Sequence, residues 1–347
     1  MGGAVLPSNE VLFPSSFPRA ESAAFFTILG GINSAFGVGK NVDNFQRQIN
    51  LVNNLSWVVN THELKFGIDY RRLSPIYDPL KYFHASVFSN AANAILGRAQ
   101  SVSIRADSDA RFILFNNFSA YAQDTWRWTR RFTLTFGLRW EHNPPPTEIR
   151  GNDPFTVTGL DNPATLTLAT RDMPLWQTTY TNFAPRVGLA YHLLQRGNKE
   201  TVLRGGFVIF YDLGNGLASQ AFTSVFPYTA SKTLSNVSYP LNAAQAAPPP
   251  FGTNPPVSQI YVFDSNLKLP RTYQWNLGVE QSVGANQTVS ATYVAALGRQ
   301  LIREEQLVNP NPTFQQVFVA RNAATSDYHA LQLHFNTSGG CRTACRL

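Results

Sequence analysis

Apolar and polar residues alternate with a period of two along several stretches of the chain. In residues 132–141, every even position holds a large apolar residue and every odd position a polar, charged or glycine residue. Because successive side chains of a β-strand point to opposite sides, this alternation predicts a strand with one apolar face. Nine such strands are predicted, at 45–59, 63–73, 117–128, 132–141, 183–193, 201–211, 273–283, 288–301 and 328–336. One or two more are expected within 20–38 and 82–88.

The connections between these strands are alternately short and long. Within pairs they contain 2, 3, 6 and 4 residues, at 60–61, 129–131, 195–200 and 284–287. Between pairs they contain 38, 40, 59 and 26 residues, at 74–111, 142–181, 212–270 and 302–327. Long loops without secondary structure are uncommon in compact soluble domains. Tight turns at one end and long loops at the other are typical of a transmembrane β-barrel.

Charged residues mostly avoid the apolar faces of the predicted strands. The exceptions are Arg47 and Asp124, and Arg72 near a strand end. A charge that faces lipid near the bilayer midplane costs about 2–4 kcal/mol, which is enough to enforce this segregation. Most other strand charges fall on the opposite face, including Lys65, Asp69, Arg139, Arg186, Arg204 and Glu280. A soluble sandwich would segregate its charges in the same way, with a protein core in place of lipid.

Aromatic residues lie near both ends of the predicted strands. Those near the tight turns are Trp57, Trp126, Trp128 and Tyr191. Those near the long loops are Tyr70, Trp140, Tyr211, Tyr273 and Trp275. Two such sets resemble the aromatic girdles that barrels place at the two membrane interfaces. The alternative is that aromatic residues are common in strands of every kind.

Composition narrows the class of protein. The 347 residues include 28 Lys and Arg and 21 Asp and Glu, a net charge of +7, and only 14% are charged against about 25% in ordinary domains. No run approaches the roughly 18 apolar residues that a transmembrane helix needs. The basic residues are scattered, so we expect no nucleic-acid partner. Both cysteines, Cys341 and Cys345, lie in the last seven residues, which excludes a disulfide framework elsewhere.

No pattern typical of an enzyme or metal site is found. His62 and Glu63 begin like a zinc-protease helix, but position 66 is Phe and the segment is predicted as a strand. Gly37, Gly39 and Lys40 are similar to part of a phosphate-binding loop, whose first glycine and final Ser or Thr are missing. The serine motif of α/β-hydrolases is absent as well. We therefore expect no catalytic residues, no cofactor and no bound metal.

Several segments resemble TonB-dependent outer-membrane receptors, and in particular the Oar-like group. The matching runs are THELKFGIDYRR at 61–72, AILGRAQS at 94–101, NFSAYAQDTWRWTRRFTLTFGLRWE at 117–141, NFAPRVGLAYHLL at 182–194, TVLRGGFVIFYD at 201–212 and QWNLGVEQSVGANQTVSATYVAALGRQL at 274–301. Each run alone has little specificity, but together they occur in the order of the family. The resemblance implies a 22-stranded barrel, plugged by an N-terminal domain and energised by TonB.

The chain is then expected to be a fragment of such a barrel. Residues 1–336 would form an incomplete antiparallel transmembrane β-barrel of about 9–11 strands, with the four long connections as outer loops. Neither a signal peptide nor a plug domain is recognised, so the TonB system would act only through a plug domain absent here. Residues 337–347 are predicted to be a tail without strand pattern. A frameshift and a natural C-terminal extension are the two explanations of this tail.

The expected function is TonB-dependent uptake of an unknown small nutrient ligand through the outer membrane of a Gram-negative bacterium. The expected partners of the barrel are outer-membrane lipid and lipopolysaccharide. Ligand stacking and loop packing are alternative roles for the loop aromatics Tyr228, Tyr239, Phe251 and Tyr261. A structural or adhesive outer-membrane barrel without transport is one alternative function. A secreted carbohydrate-binding β-sandwich is a second.

Overall fold

The protein is almost entirely β-structure. A computed structural model describes residues 8–31, 33–196, 199–223, 225–252, 256–284 and 286–337. Its strands are β1 (Ser22–Ile28), β2 (Ser34–Gly39), β3 (Asp43–Val59), β4 (His62–Asp78), β5 (Tyr82–Phe88), β6 (Arg98–Asp107), β7 (Arg111–Trp126), β8 (Phe132–His142), β9 (Thr147–Glu148), β10 (Val157–Thr158), β11 (Thr167–Leu168), β12 (Asn182–Arg196), β13 (Lys199–Tyr211), β14 (Thr229–Ser238), β15 (Ile260–Phe263), β16 (Arg271–Val283), β17 (Gln287–Asn311) and β18 (Phe314–Thr337).

Helices are few and short. The α-helices are α1 (Asn9–Leu12), α2 (Ala91–Ile95), α3 (Asn215–Ala218) and α4 (Ala243–Ala246). Single 3-10 turns occur at Arg19–Glu21, Pro163–Thr165 and Ser219–Phe222. In the part of the chain that the structure describes, no helix has the length and apolar character needed to cross a bilayer.

Nine long strands form one antiparallel sheet, here called the wall. Its order is β18-β17-β16-β13-β12-β8-β7-β4-β3, so each wall strand pairs with the wall strands that come before and after it in the chain. The register between β3 and β4 is continuous, from Asp43 opposite Asp78 to Val59 opposite His62. These nine strands confirm the nine predicted by alternation. The described strands do not close into a ring, because β3 and β18 do not pair with each other.

The wall has one apolar face and one polar face. The apolar face carries the alternating residues that predicted the strands, such as Phe66, Leu277 and Leu333, and these side chains are exposed, Leu333 at 71%. In a β-sandwich these side chains would be buried against a second sheet. The wall therefore presents its apolar face to the surroundings, as a membrane barrel does.

A second, five-stranded sheet, here called the loop sheet, is formed by the segment before β3 and by the connections from β4 to β7 and from β13 to β16. Its order is β14-β6-β5-β1-β2. The strands expected within 20–38 and 82–88 are therefore present, but they belong to this sheet and not to the wall. β1 runs parallel to β5, with Ser22 opposite Tyr82. The core of the loop sheet is formed by Leu12, Phe13, Ala24, Phe26, Tyr82, Phe88, Ala99, Val102 and Ile104.

The prediction of a structureless loop at 302–327 is wrong. β17 and β18 continue through this segment as a hairpin whose strands are 25 and 24 residues long, joined after Asn311 and before Phe314. Irregular register at Gly298 and Leu301 marks where the hairpin leaves the regular wall. Beyond that point β15 pairs with β18 in parallel, and Val317 and Val319 are fully buried. Because β18 packs against β15 there, the alternation that predicted the wall strands stops while the strands continue.

The predicted tail at 337–347 falls mostly beyond the described residues. Thr337 is the last residue of β18, and residues 338–347 lie outside the described part of the chain. Within the predicted turn at 195–200, residues 197 and 198 also lie outside it. The flanking strands β12 and β13 reach Arg196 and Lys199, so the connection is shorter than predicted.

Candidate membrane surface and outer loops

Rings on the apolar face form a continuous row at the end of the wall with the short turns, here called the turn end. The ring of His62 stacks on Trp126 with 5.2 Å between centroids, and Trp126 stacks on Trp128 at 5.3 Å. The row continues from Trp128 to Phe132 at 5.7 Å and from Phe132 to Tyr191 at 6.1 Å. It crosses β4, β7, β8 and β12. Such a row provides amphipathic rings at one level of the wall, as a membrane interface requires.

The structure accounts for Asp124, the acidic exception on the apolar face. Asp124 lies within this aromatic row, next to Trp126 along β7. His62 Nδ1 donates a hydrogen bond to Asp124 Oδ2 at 2.7 Å, across the β4–β7 pair. The carboxylate is nearly buried by its neighbours. A paired acid at the interfacial level avoids most of the cost of a charge at the bilayer midplane.

A second set of aromatic residues lies toward the opposite end of the wall, here called the loop end. Trp140 Nε1 donates a hydrogen bond to the Tyr180 carbonyl at 2.8 Å, and the ring of Trp140 contacts Phe118 at 6.1 Å. Tyr70 Oη donates to Asn116 Oδ1 at 3.0 Å. Each polar atom thus has a partner while the ring stays on the apolar face. The predicted residues Tyr211, Tyr273 and Trp275 lie on the same face, in β13 and β16.

The polar face contains small and charged side chains. Arg139 is the centre of a network, since it donates to Glu141 Oε1 at 2.6 Å and to the Ser119 hydroxyl and lies 3.9 Å from Asp69. Gly278 also belongs to this face, and a Cβ added there would lie 2.5 Å from Thr292 Oγ1. Other wall glycines with the same orientation are Gly67, Gly137, Gly188, Gly206 and Gly298. Such a face suits a water-filled or protein-filled lumen.

Above the loop end, the long connections pack into a common core. This core joins Ile113 and Phe115 of β7 with side chains from three other segments, including Trp176, Phe222, Phe263 and Ala320. A further core around Val157, Ile260, Val317 and Phe314 lies against the extended hairpin. The outer loops are therefore a packed assembly.

Arg111 holds this assembly to the wall. Its side chain is only 2% exposed, and Nε donates to the Phe222 carbonyl at 2.8 Å while Nη2 donates to the Thr223 carbonyl at 3.0 Å. The guanidinium also lies 4.8 and 4.7 Å from the rings of Tyr77 and Tyr228. Nη1 donates to Ser108 Oγ and to the Asp109 carbonyl nearby in the chain. No sequence pattern identified this residue, because the carbonyls through which it joins two segments lie more than a hundred residues away.

His84 is a buried titratable group in the loop sheet. Its Nδ1 lies 3.3 Å from the Leu12 carbonyl, and its Nε2 lies 3.3 Å from the Tyr239 hydroxyl. Burial lowers the pKa of His84 to about 4, although the contact with Leu12 opposes the shift. The imidazole is therefore neutral at pH 7 and acts as a packing and hydrogen-bonding residue.

The four loop aromatics occupy different environments. Tyr228 is 4% exposed and lies on Arg111, and Tyr261 is equally buried and donates to Glu304 Oε2 at 2.7 Å. Tyr239 packs against the core of the loop sheet. Burial raises the pKa of all three phenols. Phe251 differs, because 48% of it is exposed. These placements agree with loop packing for the tyrosines and leave Phe251 accessible.

No metal-binding cluster is seen in the described ranges: no three His, Cys, Asp or Glu residues there lie close enough to share an ion.

The match to a protein family decides the class of this protein. The family model described as "Outer membrane beta barrel domain" matches residues 6–340. The chain belongs to this outer-membrane β-barrel family. It is therefore located in the outer membrane of a Gram-negative bacterium. The secreted β-sandwich considered from the sequence is wrong.

Solved structures of similar fold are outer-membrane transporters and receptors. The outer-membrane transporter YddB from Escherichia coli has a TM-score of 0.53 at 15% identity, over 94% of this chain and 36% of its own. The copper transporter OprC has a TM-score of 0.44 at 13% identity, over 85% and 36%. A ferric enterobactin receptor mutant from Pseudomonas aeruginosa, in complex with enterobactin, has 0.41 at 11%, over 85% and 42%. This chain thus spans between 36% and 42% of the length of these proteins. No curated protein sequence matches it.

Proposed function

We propose that this chain is part of the barrel of a TonB-dependent outer-membrane receptor of the Oar-like group, which takes up a small nutrient ligand and catalyses no reaction. The observation that carries the proposal is a nine-stranded open wall with an exposed apolar face and a polar face rich in small residues. A wide lumen needs many more strands, because barrel diameter grows with strand number. The whole receptor then has about 22 strands.

The outer loops supply the ligand-binding surface in this proposal. Phe251 is the exposed aromatic residue that would stack on a bound ligand. The TonB system acts through a plug domain, and that plug rests on the polar face of the wall. The apolar face meets outer-membrane lipid and lipopolysaccharide.

Depletion of nutrients from the growth medium tests the transport proposal. Strains with the gene intact, deleted and restored, and a strain without TonB, would be grown in the same medium, and its components followed by mass spectrometry. We expect at least one ferric complex, saccharide or peptide to disappear at least tenfold more slowly when the gene or TonB is lost. Equal depletion of every component by all strains would contradict transport.

A structural or adhesive barrel is the second candidate function, and one observation favours it. The turn between β5 and β6 exposes two apolar side chains, Ile95 at 86% and Leu96 at 62%. An exposed apolar pair at the tip of the loop sheet suits contact with a surface or another cell. Under this alternative, substitution of both residues by Ser would weaken cell attachment, and loss of TonB would leave attachment unchanged.

A further inference from the structure

Two arginines line a recess on the apolar face near the loop end, and a third lies beside it. The recess has a volume of about 370 Å³, and Arg47 of β3 and Arg72 of β4 line it. Both occupy positions that the alternation would fill with apolar residues. The third arginine, Arg150, follows β9, and its guanidinium carbon lies 3.6 Å from the centre of the Phe112 ring, which also lines the recess.

The height of these arginines matches the lipid headgroup region. Tyr70 belongs to the loop-end aromatic set, and Arg72 lies two residues farther out on the same face of β4. Arg47 lies opposite Ser74, a further two residues out. With a rise of about 3.3 Å per residue and a tilt of about 40°, each two-residue step climbs about 5 Å. Arg72 and Arg47 therefore lie about 5 and 10 Å farther out than Tyr70, at the level where lipid headgroups replace hydrocarbon.

Arg47 and Arg72 are free to bind an anion. Both are exposed, and within the described ranges neither forms an ion pair. On this face Asp78 is bound by Lys40 at 3.1 Å, and Asp43 lies four residues beyond Arg47. Glu148, behind Phe112, accepts from the backbone N–H groups of Phe112 and Arg150. The planar set of donors on a guanidinium matches a phosphate better than it matches a carboxamide or a hydroxyl group on a ligand.

The rest of the recess is apolar. Its walls are formed by side chains that include Ile49, Ile76, Phe112 and Ile149, and Ile149 is half exposed. Below the recess the apolar face continues down the wall toward Phe66 and Ile68. An occupant must therefore combine anionic groups at the headgroup level with hydrocarbon chains that run along the strands. This combination is the chemistry of a phosphorylated lipid and not that of a free phosphate.

We propose that this recess binds the lipid A part of lipopolysaccharide, with Arg47, Arg72 and Arg150 on its phosphates and its acyl chains along Ile49 and the apolar face below. This inference rests on the proposed function, in which lipopolysaccharide is a partner of the apolar face, and names the residues that would bind it. Binding of lipid A depends on the position of the wall in the outer membrane and not on transport. A result that contradicts one proposal therefore leaves the other standing.

Binding of lipid A to the whole purified protein in detergent micelles tests the site. The variant would carry R47Q, R72Q and R150Q, and the matched control would carry R130Q, which removes one exposed charge at the turn end. Native mass spectrometry would count the lipid A molecules that remain bound. We expect at least a fivefold loss of bound lipid A in the triple variant and no change in the control.

Two further probes need only the wild-type protein, so they remain decisive if the triple variant folds poorly. Lipid A stripped of its phosphates should bind at least fivefold more weakly than the bisphosphorylated form. Inorganic phosphate at millimolar concentration should displace little bound lipid A. Equal binding of the two lipids, or unchanged binding by a folded triple variant, would overturn the proposal. Saturable binding of inorganic phosphate without lipid A would assign the recess to a free anion instead.

Discussion

Arg111 shows how single buried groups organise the outer loops. Its hydrogen bonds reach the carbonyls of Phe222 and Thr223, which lie at the end of the 3-10 turn after α3. A nearby acid, Asp107, is fully buried and is held by both Arg105 and Arg111. The ion pairs are local in the chain, whereas the bonds to Phe222 and Thr223 join distant segments and have no sequence signature.

Replacement of Arg111 is expected to loosen the loop assembly. R111A leaves two buried carbonyls without donors and opens a space between two tyrosine rings, which should cost about 2–4 kcal/mol of loop stability. R111K should lose less, because it keeps the charge but not the planar donor set. The rate of limited proteolysis in the segment that follows the 3-10 turn Ser219–Phe222 would measure the effect. The control is R98A, which changes an exposed residue of β6 in the connection from β4 to β7. Unchanged cleavage in R111A would contradict this role.

Acidification is expected to weaken the loop sheet through His84. The unfolded chain binds a proton with a pKa near 6.5, whereas the folded sheet binds it only near pH 4. Between these values the unfolded state holds more protons, so stability falls as pH falls, by about 3 kcal/mol in total. Above pH 6.5 the effect vanishes. The opening free energy of β5, obtained from hydrogen exchange corrected for intrinsic rates, should fall as the pH falls in the wild type. It should not change with pH in this way in H84Q. The same slope in H84Q would exclude His84 as its source.

The strands of the wall were predictable where one face is apolar and the other polar, as in β8, whose predicted and observed bounds differ by one residue. Beyond that part of the wall the alternation ends. In the β17–β18 hairpin, Pro310 lies near the end of β17 and Pro312 in the turn, where proline is tolerated. The segment is held by β15, which pairs with it from 57 residues earlier in the chain, and local sequence does not reveal such a partner.

The outer part of the β17–β18 hairpin is expected to exchange slowly. Pairs such as Leu307 with Val317 continue the ladder, and Val317 is fully buried. Backbone amides in 304–308 and 317–320 should therefore be protected at least a hundredfold more than those in 244–252, a connection with little sheet structure. Hydrogen exchange with mass spectrometry compares the two segments directly. Similar rates would show that the hairpin ends at the membrane.

Close packing across the polar face is expected to make Gly278 sensitive to substitution. A Cβ at Gly278 would meet Thr292 of β17 at 2.5 Å, whereas one at Gly206 has no atom nearer than 3.6 Å. We expect G278A to destabilise the barrel by about 1–3 kcal/mol and G206A to cost less than 1 kcal/mol. The urea midpoint of the folded protein in micelles measures both. A smaller loss in G278A than in G206A would refute the packing argument.

For the molecule as a whole, the sequence predicted the face of the wall aromatics but not the packing of the loop aromatics. Trp126 and Trp140 lie on the apolar face because their place in the alternation fixes it, and their role at a membrane interface stays a prediction. Tyr228 and Tyr261 lie in irregular segments, and their burial depends on which distant residues pack on them. Arg47 and Arg72 stood out only as exceptions to alternation, and the recess that gives them a role required the three-dimensional register.

The two edges of the wall lead to an expectation about assembly. β3 along its length and β18 beyond its contact with β15 have no strand beside them within the described residues. Unpaired edge groups in a bilayer are costly and favour pairing with another chain. Residues 1–337 alone should therefore form oligomers in detergent. A product extended by the flanking strands should be a monomer. Light scattering coupled to size exclusion would distinguish them, and a stable monomer of the short product would contradict the expectation.

The loop sheet also bears on how the protein enters the membrane. β1 and β2 precede the wall, β5 and β6 follow β4, and β14 follows β13, so in the proposed receptor three separate segments must reach the cell exterior before the sheet can form. Its assembly therefore comes after the insertion of six wall strands. Once formed, it ties the hairpins together from outside, and no single hairpin can be withdrawn into the periplasm unless the sheet is first taken apart.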